Sequence, residues 1–197
     1  LHFPNDAITL KHDLDTITSH CKKWHMLLNL TKCKVMSFTR KHNTSHETYC
    51  INTVPIDHTR TYKYIGVHLT STLSWVKHIE TIRSEASRTL GYLRRNLQSA
   101  TPDIKKLAYL TYVRPKLEYA SFIWHPSQAY LTDDLEAVQK RAARFITSQY
   151  SRHISVTALK QMLSLASLAS RRITSRICLL HTFFYFSKSG HPLLKRP

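Results

Sequence analysis

The 197-residue sequence predicts an α+β protein in which one helix and a small antiparallel sheet precede an all-helical segment. Two observations support this fold class. Apolar residues recur every three or four positions near the N-terminus and again after Ser74, the spacing of helices that pack one face on a core. Runs rich in aromatic and β-branched residues, typical of strands, occur only between residues 32 and 69. The organisation of the chain therefore changes once, near Ser74.

The first part of the chain combines one helix with three strand-like runs. The helix is expected from Asp6 to Leu28, where the apolar side chains fall on one face. The strand-like runs are KCKVMSF (32–38), TYCI (48–51) and YKYIGVHL (62–69). Gly66 lies inside the third run, and a glycine within a strand marks either a β-bulge or a place where something approaches the backbone closely. Composition and spacing leave both interpretations of Gly66 open.

The second part of the chain is expected to be entirely helical. Amphipathic patterns predict helices over residues 75–97, 102–124, 133–146, 156–163 and 168–184. Pro115 should kink or break the second of these helices, because proline has no N–H to donate. The third helix opens with Asp133, and Glu136 follows three residues later, which is the arrangement of a capping box.

The charge balance indicates a polyanionic partner. The chain has 29 lysines and arginines against 12 aspartates and glutamates, a formal net charge of +17 with its 13 histidines neutral. Nucleic acid is the commonest polyanion that a folded basic protein meets. An acidic protein or an anionic membrane is the alternative partner, and we rank it lower.

No apolar run reaches transmembrane length, and the N-terminus has no signal-peptide layout. We therefore expect an intracellular protein of the nucleus or cytoplasm, not secreted and without a membrane partner.

Helical geometry groups the basic residues of two predicted helices. At 100° per residue, Lys77, Arg88 and Arg95 share the face opposite the apolar stripe. Arg83 and Arg94 lie on the flank of this face. In LEAVQKRAARFI (135–146), the same count puts Lys140 and Arg144 opposite the apolar residues. A charged outer face is ordinary for any surface helix. Because these faces are nearly all of one sign in a strongly basic chain, we expect them to contact phosphates.

Five segments carry a resemblance to a known family. In chain order they are KWHMLLNLTKCKVMSF (23–38), YKYIGVHLTSTLSWVKHI (62–79), SRTLGYLRRNL (87–97), YVRPKLEYASFIWHP (112–126) and LEAVQKRAARFI (135–146). They resemble the reverse transcriptases of LINE-type retrotransposons, which lack long terminal repeats, and especially those of jockey-like elements. The resemblance implies the end of a polymerase palm over residues 1–73, a helical thumb over 74–150 and a helical extension, possibly incomplete, over 151–197.

The resemblance also implies roles for individual residues. Residues 24–38 resemble the fourth palm motif, in which Lys32 matches a lysine proposed to donate a proton to the departing pyrophosphate. Lys34 is a rival for this role, and a solvated lysine at a strand end is the plain alternative. YKYIGVHL resembles the primer grip, which would place Tyr64, Ile65 and Gly66 beside the 3′ end of the primer. A simple bulge at Gly66 remains the alternative.

The implied partners are an RNA template, a DNA primer and the upstream palm and fingers of the same polyprotein. The intact polymerase uses Mg²⁺ held by aspartates, which the resemblance places before Leu1, so no metal or other cofactor is expected in this chain and the chain alone is expected to be inactive. Asp133 and Asp134 in YLTDDLE (130–136) are interpreted as a helix start and not as metal ligands. The alternative to a polymerase fragment is a degenerate element remnant that binds nucleic acid or has no function.

Overall fold

The computed structural model describes residues 6–38 and 47–188, with side chains described as far as Tyr185. The chain divides into two compact units, Leu1–Ser74 and Trp75–Pro197. The described ranges are mostly helical and contain two antiparallel sheets of two strands each. The predicted α+β fold class is thereby confirmed, while the palm, thumb and extension boundaries remain predictions.

The first unit contains one helix and two short hairpins. Its helix is α1 (Asp6–Lys23), and its strands are β1 (Cys50–Ile51), β2 (Val54–Pro55), β3 (Thr61–Tyr64) and β4 (Val67–Thr70). β1 pairs with β2, and β3 with β4. α1 contacts β1, and the buried apolar side chains of the described part of this unit are Cys21, Tyr49, Ile51 and Val67. Most apolar positions of α1 stay exposed, so the predicted core-facing stripe is buried only near Cys21.

α1 ends earlier than its apolar pattern predicts. His25 adopts a left-handed conformation with φ 53°, and the Met26 N–H donates to the Cys21 carbonyl at 2.8 Å. A hydrogen bond from five residues beyond, around a left-handed residue, closes a helix in a Schellman motif. The chain therefore turns away at Lys23, and the prediction that the helix continues to Leu28 is wrong.

Two of the three predicted strands differ from the structure. The run 32–38 does not form a β-strand. A 3₁₀ turn covers Leu30–Lys32, and Val35 makes a single parallel bridge with His58. The run 62–69 is a hairpin and not one strand. Its two strands pair from Thr61 with Thr70 to Tyr64 with Val67, and Ile65 and Gly66 form the turn between them. The run 48–51 contributes β1.

The second unit is built from helices. They are α2 (Val76–Asn96), α3 (Pro102–Ala108), α4 (Arg114–Glu118), α5 (Ala129–Thr147), α6 (Val156–Met162) and α7 (Leu168–Lys188), with a π-helical turn at Tyr109–Val113 between α3 and α4. Its core lies between α2 and α5. The buried stripe of α2 consists of Ile79, Ile82, Ala86, Leu90 and Leu93, and that of α5 of Leu131, Leu135, Val138, Ala142, Phe145 and Ile146.

The helix around Pro115 is interrupted, as predicted, but it also ends earlier than predicted. The continuous helix expected over 102–124 is interrupted by the π turn and ends at Glu118. Because the proline ring would collide with the carbonyl four residues earlier in a regular α-helix, the wider π turn accommodates it. Beyond Glu118 the chain turns at Ala120, with φ 51°, and Trp124 is fully buried with its indole N–H donating to the Tyr119 carbonyl at 2.9 Å.

Glu136 has a different role from the predicted one. α5 begins at Ala129, so Asp133 lies in its second turn and the capping-box prediction is wrong. Glu136 is buried, and it accepts hydrogen bonds from the Lys160 ammonium at 2.9 Å and from the Ala169 N–H at 3.1 Å. One carboxylate thus joins α5 to α6 and to the first turn of α7.

Replacing Glu136 by alanine should destabilise the helical unit by about 3 kcal/mol, because it leaves the largely buried Lys160 ammonium without its counter-charge and the Ala169 amide without its acceptor. Urea denaturation followed by far-UV circular dichroism measures the loss. Glu80→Ala, an exposed carboxylate on α2, is the matched control. Equal stability of the two variants would contradict this role of Glu136.

Candidate nucleic-acid interface

The outer face of α2 carries three exposed cations, Lys77, Arg88 and Arg95, called here the α2 face. The apolar stripe on the opposite side of the helix is buried against α5, which holds α2 in place. Within the described ranges, no carboxylate lies within ion-pair distance of these three side chains. The α2 face is therefore a set of exposed positive charges without ion-pair partners among the described residues.

The flanking arginine Arg83 differs from the α2 face. Its guanidinium pairs with Asp134 of α5, with 3.5 Å between Nη1 and Oδ1. This contact links the two central helices on their outer side. Arg83 therefore contributes little unpaired charge to the surface.

The predicted cations of α5 have different surroundings. Lys140 is exposed, whereas Arg144 is half-buried. The Nη1 of Arg144 donates to the carbonyls of Tyr150 and Ser151 at 3.1 and 2.9 Å. Arg144 thus fastens the turn that follows α5, where Ser148 is left-handed with φ 55°. Its role in phosphate contact stays a prediction.

Between α2 and α5 the structure forms a groove of about 180 Å³. Its lining consists of Ser87, Leu90, Gly91, Arg94, Arg141, Arg144, Phe145 and Tyr150, and we call it the arginine groove. Arg94 lies over the Tyr150 ring, 4.8 Å from its centroid, and the Arg141 Nη2 donates to Ser87 Oγ at 3.0 Å. The structure thus brings together the predicted residues Arg94 and Arg144 and adds Arg141.

Sequence reasoning missed Arg141 and Tyr150. Arg141 is one step around the helix from Lys140, and the helical count alone gives it no special position. Its contact with Ser87 joins residues 54 positions apart in the chain. No local pattern reports such a distance, but the cluster of three cations within Lys140–Arg144 was a usable signal.

The two candidate lysines of the first unit differ in their contacts. Lys34 pairs with Asp57, with 2.7 Å between Nζ and Oδ2. The hydrogen bond and the charge of Lys34 hold the pKa of Asp57 below its usual range. Lys32 is exposed at the end of the 3₁₀ turn, and its carbonyl accepts a hydrogen bond from the Tyr62 hydroxyl at 2.8 Å. The proton-donor role of Lys32 remains a prediction.

The hairpin turn presents Tyr64, Ile65 and Gly66 to solvent. Ile65 and Gly66 have φ values of 44° and 79°, as in a type I′ turn. The β3–β4 register is continuous up to this turn, so the bulge interpretation of Gly66 is wrong. Asparagine usually occupies the first of these turn positions, and a β-branched residue at positive φ is strained.

The described residues offer no fit for Mg²⁺. Asp133 and Asp134 are neighbours on α5, so their side chains diverge by about 100°, and Asp134 pairs with Arg83. In the described ranges no group of three or more His, Cys, Asp or Glu side chains comes together in a way that could hold a metal ion. Within the same residues, no helix is both long and apolar enough to cross a membrane.

These features define a basic, mostly helical α+β protein with a cationic helix face and an arginine groove. Comparison with known proteins adds one relative. The chain is similar to the probable RNA-directed DNA polymerase from transposon X-element of Drosophila melanogaster, at 26% identity over 129 residues. The match covers 64% of this chain and 14% of the relative, so the chain spans a small part of that protein. No protein-family model and no solved structure matches the chain. The similarity supports a relation to the reverse transcriptases of transposable elements.

Replacing Ile65 by asparagine should stabilise the β3–β4 hairpin by roughly 1 kcal/mol, because asparagine tolerates the left-handed conformation that strains isoleucine. Gly66→Ala should destabilise it by about 1–2 kcal/mol for the opposite reason. Amide hydrogen exchange across residues 61–70 measures both changes.

Ile65→Ala is the matched control for this turn, since it removes the same side chain and keeps most of the left-handed penalty. Its effect on exchange should be smaller than that of Ile65→Asn. Faster exchange in Ile65→Asn would show that contacts of the isoleucine side chain, and not the backbone conformation, hold the turn.

Proposed function

We propose that this chain is part of the reverse transcriptase of a jockey-like retrotransposon without long terminal repeats. Residues 1–73 correspond to the end of the palm, 74–150 to the thumb, and 151–197 to a helical extension. Support comes from the five resembling segments and from the similarity to a transposon RNA-directed DNA polymerase. The capacity that we assign to the chain itself is binding of the template–primer duplex, in the nucleus or cytoplasm.

The observation that carries this proposal is the α2 face. Lys77 and Arg95 are 18 residues apart, so the face extends along about 27 Å of helix at 1.5 Å per residue. A duplex carries one negative charge per roughly 1.7 Å of its axis. An exposed row of cations of this length, without carboxylate partners among the described residues, suits a phosphate backbone. We expect no readout of base sequence, because contacts from lysine and arginine to phosphate groups carry no sequence information.

The hairpin supplies the second element of the proposal. We assign the exposed tip formed by Tyr64, Ile65 and Gly66 to contact with the primer strand near its 3′ end. Support comes from its exposure and from Ile65, which occupies a position where the turn itself favours asparagine. Strained backbone is concentrated at functional sites in proteins, which is consistent with such a role.

The polymerisation chemistry itself is assigned to other parts of the polyprotein. The described residues do not fit Mg²⁺, so we place the metal-binding aspartates in the upstream palm, which together with the fingers is the proposed protein partner. Lys32, exposed at the end of its turn, is the proposed proton donor once that palm is present. The chain alone is expected to bind duplex without extending a primer.

The binding of an RNA–DNA hybrid should weaken with salt. With about 4–6 phosphate contacts, log K against log salt concentration should have a slope of roughly −4 to −5. Replacing Lys77, Arg88 and Arg95 together by glutamine should weaken binding and make the slope shallower by about one unit per lost contact. Fluorescence anisotropy of a labelled hybrid over a salt series measures both quantities.

The matched control replaces three exposed cations on other elements of the helical unit by glutamine, and these are Lys116, Arg152 and Arg176. It changes the net charge by the same amount, so a general field effect would weaken both triple variants alike. Equal weakening would refute the assignment to the α2 face. Strong preference for one sequence among several hybrids would contradict backbone contact.

A further inference from the structure

The arginine groove has features that packing of the fold does not require. It lies between α2 and α5, and Arg95 of the α2 face reaches its edge: a Cβ placed on Gly91 would lie 3.7 Å from the Arg95 Nη1. The groove is therefore continuous with the α2 face. It adds Arg94, Arg141 and Arg144 to that cationic surface.

Neutral partners hold all three guanidinium groups of the groove. Arg94 stacks on the Tyr150 ring, Arg141 donates to Ser87 Oγ at 3.0 Å and to the Ala137 carbonyl at 3.3 Å, and Arg144 donates to two carbonyls. In the described part of the chain, no carboxylate lies within ion-pair distance of any of the three. The side chains are thus oriented, yet their charges are not neutralised.

The planar guanidinium has five N–H donors. Among the described residues, no acceptor takes a hydrogen bond from Arg94, and the contacts of Arg141 and Arg144 use only part of their donors. Stacking on an aromatic ring fixes the plane of a guanidinium and leaves its edge available. A tetrahedral anion with several acceptor oxygens matches such a set of donors.

Gly91 provides independent support. Glycine is disfavoured in a helix interior, and Gly91 lies within α2, one helical turn before Arg95. A Cβ at this position would make only an ordinary van der Waals contact with the flexible end of Arg95. Neither packing nor a left-handed backbone therefore requires glycine here. Its effect is to leave bare backbone at the wall of the groove, where another molecule can approach closely.

We propose that the arginine groove binds one phosphate group of a nucleic-acid backbone, with Arg94 and Arg141 donating to its oxygens and Gly91 leaving room for it. The proposal rests on the proposed function, since it names the position at which the helical unit holds a bound duplex. A free phosphate or a mononucleotide offers the same chemistry, and the experiment separates these sources from a backbone phosphate.

The experiment uses the full chain and the variants Gly91→Ala and Arg94→Lys. Gly91→Ala should raise the melting temperature by about 2–4 °C, because alanine favours the helix. It should also weaken binding of the RNA–DNA hybrid roughly ten-fold, because its methyl group lies where the phosphate would approach the backbone of α2. Arg94→Lys keeps the charge but loses the planar fork, so it should weaken binding by a similar factor with the salt slope unchanged. Arg152→Lys, on an exposed residue outside the groove, is the control and should bind as the wild type does.

Wild-type affinity in Gly91→Ala and Arg94→Lys, together with weak binding by the triple variant of the α2 face, would overturn the groove proposal and leave the proposed function standing. Inorganic phosphate and adenosine monophosphate are tested as separate probes by thermal shift. If either stabilises the wild type but neither variant, and the hybrid does not bind, the backbone assignment is overturned together with the proposed function. Hybrid binding that falls in both variants, without stabilisation by the small probes, supports a backbone phosphate.

Discussion

The packing of α2 against α5 is the interaction on which the helical unit depends. Each helix buries one apolar stripe, and burying a leucine or isoleucine side chain contributes about 1.5–3 kcal/mol. Because one side of α2 is committed to this contact, Lys77, Arg88 and Arg95 must lie on the opposite side. The same contact brings Arg94 and Arg141 to the two sides of one groove. The cationic surface is therefore a geometric consequence of the core.

Polar contacts then fix the C-terminal helices on this central pair. Glu136 holds α6 and α7, and Glu118 of α4 pairs with Arg171 of α7. Arg172 is fully buried with its guanidinium 5.8 Å from the centroid of the Trp124 ring. Burial lowers the pKa of Arg172, while the nearby Glu136 and Glu118 oppose the change. Glu136 is buried and Glu118 is half-buried, so both carboxylates serve the packing of these helices.

The periodicity of apolar residues in the sequence predicts the helices whose bounds depend on nearby residues. The bounds of α2 and the exposure of its cations follow from a 3.6-residue period, and the structure reproduces both. The turn at Ile65 was hidden because isoleucine favours strands, and the β3–β4 pairing overrides that preference. The sequence predicts the start of α5 at Asp133, because Asp133 and Glu136 have the spacing of a capping box, whereas the helix begins at Ala129. The arginine groove depends on contacts between distant residues, such as Arg94 with Tyr150, which no periodicity reports.

The central claim is that one surface of the helical unit, formed by the α2 face and the arginine groove, binds the nucleic-acid backbone. Arginine modification by phenylglyoxal, with and without a bound RNA–DNA hybrid and read by mass spectrometry, tests it most directly. The hybrid should protect the arginines of this surface, Arg88, Arg94, Arg95 and Arg141, and leave Arg152 and Arg176 reactive. Equal protection of Arg152 and Arg176, or no protection of the first four, would contradict the claim.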